Sequence, residues 1–281
     1  MVDVDTVFDR PVARLTRRPS PYQTSFPLEE WDVEFDDGTS AELVFKRNAL
    51  ELADPITRRL KAADHDASRE ADAYELLDAH ELAAPKLHAR GDDWILIERI
   101  RGARLTDLGD VDAWRRTAAE IQAVHRTLRG VRPARSIRVL DERYFSSCAS
   151  VAARTHPELA DAYSNATKVL AHAQRAFIHG ELYASNVVVT ADRRVYIVDW
   201  ETASLGPPML DVAALIAGTW TAADRATIAS AYAGHDEIEL AAATLHLALR
   251  WLCAPPEWTP PREHATDSLA EAARASTLLG S

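Results

Sequence analysis

The sequence predicts an α+β chain in two parts, a small antiparallel sheet followed by a larger, mainly helical region. Three observations carry this. Residues 31–46 alternate apolar and polar side chains around an Asp37-Gly38 pair, the period of half-buried strands joined by a hairpin turn. Residues 111–128 set Trp114, Ala118, Ile121, Val124 and Leu128 on one helical face. Alanine-rich helical stretches fill most of 209–250 and of 264–279.

The elements follow in order. A first strand is expected at Val12–Thr16, followed by the loop RRPSPYQTS. In the second strand Trp31, Val33 and Phe35 alternate with acidic residues, and in the third Leu43 and Phe45 alternate with Val44 and Lys46. Residues 68–80, SREADAYELLDAH, read as a helix capped by Ser68, with Ala71, Tyr74, Leu76 and Leu77 as its apolar stripe. WILIERI, 94–100, reads as a buried strand that Gly102 ends. The boundary falls here, with residues 1–100 as the first lobe, 103–281 as the second, and the connection at about 96–102. Beyond it, 150–174 carries helix around Pro157, and two strand-like runs, 187–189 and 195–198, interrupt the helices. Pro255, Pro256, Pro260 and Pro261 separate the last two helices.

Composition sets outer limits. The chain has 281 residues, 47% hydrophobic and 27% charged, which suits a soluble globular protein with a real core. Lysine and arginine number 32 against 43 aspartates and glutamates, a formal charge of −11. That excludes a general binder of the nucleic-acid backbone, which needs a basic stripe. It suits a cationic substrate and, equally, a solvated acidic surface. Cys148 and Cys253 form neither CxxC nor zinc spacing, so both are expected as reduced, partly buried thiols. The start, MVDVDTVFDR, lacks the apolar core of a signal peptide, and no apolar run approaches the roughly 20 residues of a membrane helix. The expected setting is the cytoplasm, with no membrane or nucleic-acid partner. Monomer and dimer both stay open.

The chemistry concentrates in FIHGELYASNVVV, 177–189, and RRVYIVDW, 193–200. If the two valine-rich runs pair as a hairpin around Ala191–Arg194, Asn186 and Asp199 emerge at the same end. An amide oxygen beside a carboxylate is a hard donor pair that suits Mg²⁺. Asp199 between Val198 and Trp200 would be a costly buried charge without such a partner. Glu181, five residues before Asn186, could reach a substrate hydroxyl and accept its proton. A carboxylate, an asparagine five residues on and a later aspartate after an apolar strand is also the spacing of a kinase catalytic loop.

HGELYASNVVV followed by VYIVDWETASLGPPMLDVAAL resembles the aminoglycoside phosphotransferase family of small-molecule kinases, relatives of the choline and homoserine kinases. The likeness is densest over 177–215. It implies a bilobal protein-kinase-like fold with a small antiparallel β N-terminal lobe for the nucleotide and a larger helical C-terminal lobe for catalysis and acceptor binding. It implies ATP, with GTP as the other candidate, Mg²⁺, and a small hydroxylated acceptor such as an aminoglycoside, a sugar or an amino alcohol, so that antibiotic resistance is one option among several. Carried over by position, Glu181 would be the catalytic base and His179 would brace its loop. Asn186 and Asp199 would hold Mg²⁺. Lys46 would contact the α- and β-phosphates, Glu70 would pair with it, and Glu98 to Ile100 would be the hinge that meets adenine. Glu201 and Asp211 would support the site.

Two departures from the family stand out. No glycine-rich phosphate loop is present; Gly38 is the sole glycine before residue 91 and belongs to the hairpin. Backbone amides and the hydroxyls of Ser20, Thr24 and Ser25 can still donate to phosphates, and Arg17 or Arg18 could add charge. Glu181 stands where the family has aspartate. The two carboxyls have nearly the same basicity, about 4.3 against about 3.9, so the difference is reach.

Two rival functions follow. One is a pseudokinase or nucleotide-binding module that has lost turnover. The other is a zinc hydrolase or deaminase suggested by His-Gly-Glu, which Cys253 standing alone and the lack of HExxH disfavour. His125 reads as a packed helix histidine, and Trp94, Trp114 and Trp251 as core. Tyr183 and Trp220 are candidates to line an acceptor cleft.

Overall fold

The computed structural model describes residues 7–22, 26–254, 257 and 267–280. The chain divides into two compact units, Met1–Arg101 and Gly102–Ser281.

The first unit is built on a five-stranded antiparallel sheet. Its strands are β1 (Val12–Pro19), β2 (Leu28–Phe35), β3 (Ser40–Arg47), β4 (Leu87–Arg90) and β5 (Trp94–Glu98), in the order β1-β2-β3-β5-β4. The β2–β3 hairpin closes at Asp37-Gly38, where Gly38 has φ 80° and the Phe35 amide donates to the Thr39 carbonyl at 2.9 Å. That positive φ is why glycine serves the turn. The two-residue period buries Trp31, Val33 and Phe35 from β2 with Leu43 and Phe45 from β3, and Trp31 stacks on Phe45 at 4.8 Å. One helix here, α1 (Pro55–Lys61), has no counterpart in the sequence reading. It is one short run, capped by Asp54, whose carboxylate accepts from the amides of Ile56 and Thr57.

The next helix, α2 (Arg69–Ala79), buries Glu70, Ala71, Ala73, Tyr74 and Leu77 and packs against β4 and β5. Two details of its expected form change. Ser68 does not cap it with its side chain; the hydroxyl instead donates to Asp66 at 2.8 Å. Leu76 is only half-buried, because Ala73 occupies the inward position instead.

The other face of this sheet is ionic. Arg99 reaches Glu30 at 3.0 Å, Asp32 at 2.6 Å and Glu42 at 3.0 Å, while Arg18 pairs with Glu30 and Asp32 and Arg101 with Glu42. Arg101, then Arg99, hold the Glu42 carboxyl at about 2, well below its ordinary 4.5. The stabilisation is therefore complete above about pH 4.5 and is lost as pH falls through about 2. Glu42→Gln is expected to remove that dependence, so that its melting temperature falls less steeply than the wild type's between pH 5 and 2. Parallel slopes in thermal melts would contradict it.

The second unit carries helices α3 (Val111–Thr127), α4 (Glu142–Thr155), α5 (Ala160–His172), α6 (Met209–Leu215), α7 (Ala222–Ser230), α8 (Glu237–Leu252) and α9 (Ser268–Leu279). The expected apolar face of α3 is buried in full: Trp114, Ala118, Ile121 and Val124, with Leu128 just beyond. The longest helix after α3, α8, packs against α5, α6 and α9. Its buried face runs from Ala241 to Leu249 without a break, the pattern of a helix surrounded on most sides.

Short strands hold the loops. β6 (Ala103–Arg104), β9 (Val187–Val189) and β10 (Val195–Ile197) form one small antiparallel sheet in the order β10-β9-β6. β7 (Arg138–Val139), β8 (Ala176–Ile178) and β11 (Ser204–Gly206) form another, with β11 central, parallel to β7 and antiparallel to β8. The β9–β10 register pairs Val187 with Ile197 and Val189 with Val195. Val198 falls outside the strand, but its amide still donates to the Asn186 carbonyl at 2.9 Å. No helix among the described residues is long and apolar enough to cross a membrane. Cys148 and Cys253 are half-buried free thiols. The prolines expected to separate the last helices lie outside the described residues.

Candidate active site

In the first unit, Lys46 breaks the alternation of β3. It follows buried Phe45, points to the opposite face, and is itself buried. Its ammonium lies 2.9 Å from the Glu70 carboxylate, with side-chain exposures of 9% and 2%. A buried charge of either sign is costly alone, and the pairing of strand and helix removes that cost in part. Ser20, just past β1, turns inward, and its hydroxyl accepts from the Tyr22 amide at 3.2 Å. Thr24 and Ser25 lie outside the described residues. Arg17 sits over the Trp31 ring at 4.1 Å, and Arg18 is engaged by carboxylates. Glu98 ends β5, where its amide donates to the Lys86 carbonyl at 2.8 Å; Arg99 and Ile100 follow it out of the sheet.

In the second unit, Asp211 is the point on which the candidate loop hangs. It lies in the first turn of α6 and is fully buried. Oδ2 accepts from the His179 amide at 2.8 Å and faces His125 Nε2 at 3.0 Å, and Oδ1 accepts from the Gly180 amide at 2.8 Å. His125 Nδ1 lies 3.1 Å from the Tyr232 hydroxyl. With Nε2 donating to the carboxylate, Nδ1 accepts from the tyrosine. Burial, and then the Asp211 charge, push Tyr232 up to about 12, so it remains a donor. His125 is thus a packed helix histidine, as its position in α3 suggests, and one with a specific bonding duty.

The loop after β8 is shaped residue by residue. Gly180 has φ 87°, and a Cβ there would stand 2.7 Å from the Thr202 carbonyl oxygen; only glycine tolerates both conditions. His179 is buried, with Nδ1 accepting from the Glu181 amide at 3.2 Å and Nε2 donating to the Val198 carbonyl at 2.9 Å. Its ring leans on Trp200 at 4.7 Å. Thr202 closes the other side, donating to the His179 carbonyl at 2.9 Å. The Asn186 amide group, Nδ2, donates to the Glu181 carbonyl at 3.0 Å, which leaves Oδ1 as its acceptor atom. Asp199 adopts the left-handed conformation, φ 66° and ψ 56°, a strained backbone for a residue with a side chain. A carboxylate oxygen of Asp199 lies within 4.8 Å of one from Glu201. The two carboxylates are hard oxygen donors of the kind Mg²⁺ takes, and the Asn186 amide oxygen is of the same class.

The Glu181 side chain meets a partner that sequence reasoning missed. Arg250 Nη2, in the last turn of α8, lies 2.7 Å from Glu181 Oε1. Burial lowers the guanidinium's pKa, but Glu181, Tyr144 and Tyr183 outweigh it, and the net shift is upward. One residue on, Trp251 Nε1 donates to the Tyr183 hydroxyl at 2.8 Å. Tyr183 is therefore buried against Trp251, which is half-buried. Trp220 meets the edge of Trp114 at 5.0 Å. The one signal for Arg250 was a lone charge inside LHLALRWL, which no motif marks.

A family model described as the phosphotransferase enzyme family matches residues 31–272. No curated protein matches the chain at a significant level. Among solved structures, choline kinase LicA from Streptococcus pneumoniae is similar over 96% of this chain and 94% of its own, with 15% identity and a TM-score of 0.63. The streptomycin-ATP-APH(2")-IIa ternary complex is similar over 94% and 93%, with 13% identity and a TM-score of 0.58. Macrolide 2'-phosphotransferase MphH from Brachybacterium faecium covers 94% and 91%, with 16% identity and a TM-score of 0.55. At these identities the likeness speaks for the fold, which is protein-kinase-like.

Proposed function

The chain belongs to the phosphotransferase enzyme family, and we propose that it transfers the γ-phosphoryl group of ATP, or of GTP, to a hydroxyl of a small molecule. The observation that most supports this is the buried Asp211 carboxylate, which fixes the loop carrying Glu181 and Asn186 through the amides of His179 and Gly180 and is itself held by the His125 ring of α3. So large an investment of buried polar groups in one loop suits a site where position matters.

In this reading the first unit binds the nucleotide and the second holds catalysis and acceptor. Lys46, aligned by Glu70, contacts the α- and β-phosphates. Glu98 to Ile100 meet the base through backbone groups, and the segment holding Ser20 covers the phosphates. Asn186 and Asp199, with Glu201 beside them, hold Mg²⁺, which when bound neutralises phosphate oxygens. Glu181 orients the acceptor hydroxyl. As the acceptor oxygen bonds to the γ-phosphorus, the bond from phosphorus to the bridging oxygen breaks. ADP leaves with that electron pair, and the acceptor's proton passes to Glu181. Positioning and electrostatics supply nearly all of the catalysis.

Aminoglycosides, amino alcohols such as choline, macrolides and sugars form the acceptor panel. The rival reading, a nucleotide-binding module without turnover, draws on the ion pair that engages Glu181. Both readings require nucleotide binding. Saturating MgATP, at about 100 times its Kd, is expected to add about 2.7 kcal/mol of stability, read as a rise in melting temperature that Lys46→Ala weakens. No shift at millimolar MgATP would contradict both.

A further inference from the structure

We infer that Arg250 is a positioning residue for Glu181, setting the longer carboxylate at the place from which it serves the acceptor. This rests on the phosphotransfer reading above and deepens it.

The backbone of Glu181 is fixed on both sides. Its amide donates to His179, and its carbonyl accepts from the Tyr183 amide at 2.7 Å and from Asn186 at 3.0 Å. The side chain beyond Cα is another matter. Glutamate has one more rotatable bond than aspartate, and a fixed backbone leaves its carboxylate a choice of rotamers about that bond. The Arg250 contact at 2.7 Å selects one of them. Side-chain exposures of 33% and 24% leave the pair only partly solvated, so its geometry is held better than that of a surface pair.

Arg250 is itself held by its surroundings. It occupies the C-terminal turn of α8, where the helix dipole favours a cation. Consecutive residues Arg250 and Trp251 fasten alternate loop residues Glu181 and Tyr183, so loop and helix are joined at two adjacent points. One turn earlier in α8, His246 is buried between the Tyr163 hydroxyl at 2.6 Å and the Tyr144 hydroxyl at 3.4 Å. Burial, then Arg250 and Arg138, lower its pKa to about 3. It therefore adds no second positive charge to compete for Glu181. Among the described residues, Glu181 is the carboxylate that pairs with Arg250.

Relative to aspartate, glutamate carries one additional methylene, and the arginine fixes the end of that longer side chain. A shorter carboxylate at 181 would fall short of Arg250 and gain nothing from it.

The test measures steady-state MgATP turnover of the full chain, both basal hydrolysis and transfer to the panel acceptor that is most active. Arg250→Gln is expected to lower kcat by about 10–100-fold, the scale of a misplacement near 1 Å, with KM for ATP within threefold. Arg250→Lys, which keeps the charge, is expected to recover at least a third of the lost factor on a logarithmic scale. In a Glu181→Asp background, Arg250→Gln should cost less than threefold, since the partner is already out of reach. Melting temperatures of all variants establish the folded fraction. Equal losses in both backgrounds, no rescue by lysine, or unchanged kcat in the folded fraction would assign Arg250 a purely structural role and overturn the inference. A rise in kcat would show that the pair restrains Glu181 and would overturn it as well. A wild type that turns over no ATP with any acceptor would instead sink the phosphotransfer reading, and this inference with it.

Discussion

Replacing Asp211 by alanine is expected to cost about 3–5 kcal/mol of stability, the range for removing one partner from a buried, hydrogen-bonded charge. The carboxylate is fully buried and receives the amides of His179 and Gly180 and the His125 ring. Alanine would leave all three donors without an acceptor, in a place water reaches poorly, and each such group carries its own desolvation cost. The melting temperature should fall by about 6–20 °C, given about 2–4 °C per kcal/mol in a domain of this size. Turnover should fall further than the folded fraction does, because the loop carrying Glu181 and Asn186 loses its anchor. Asp211→Asn keeps one acceptor oxygen but sets an NH₂ group against a donor, so it should be destabilised too, though less. A fall of under 2 °C for the alanine variant would mean that the loop is held by something else.

Glu181→Gln is expected to lower kcat by about 10²–10⁴-fold, the usual contribution of a positioned acid or base. That corresponds to about 3–5 kcal/mol on the barrier. The amide oxygen can still accept from Arg250 and fills the same volume, so the melting temperature should change little. The split between kcat and stability makes the prediction specific. A glutamine variant as active as the wild type would show that Glu181 takes no proton and only occupies space beside Arg250. A variant that loses its fold along with its activity would show the ion pair to be a structural element first.

Much of this arrangement was legible because it is local. The strand period of 31–46 and the Asp37-Gly38 turn fix the central hairpin of the first unit with few alternatives. The helical period of α3 names its buried face. The spacing from Asn186 to Asp199 matches a two-stranded hairpin, and that pairing is present in the β9–β10 register. What escaped is remote or short. Arg250 lies 69 residues from Glu181, and His125 lies 86 from Asp211; both partnerships arise from helix packing, which leaves no trace in spacing. Strands of two or three residues, such as β6, β7, β8 and β11, are too short to show a period. Ser68 has the residue type of a cap, yet its hydroxyl donates to a nearer acceptor in Asp66. Lys46 could be placed on a strand, but its burial depends on Glu70 coming from a separate helix.

Transfer of phosphate from ATP to a hydroxyl is measured as acceptor-stimulated ATP consumption. The wild type and Asp199→Ala are incubated with MgATP and each member of the acceptor panel, and ADP and phosphorylated acceptor are both quantified. At least one acceptor is expected to raise ADP formation with an equal amount of phosphorylated product. Asp199→Ala, folded to the same melting temperature within a few degrees, is expected to lose about a thousandfold of that rate, the upper scale seen when an electrostatic anchor of the transition state is removed. ADP formation that no acceptor stimulates, or that Asp199→Ala leaves unchanged, would contradict phosphate transfer to a hydroxyl.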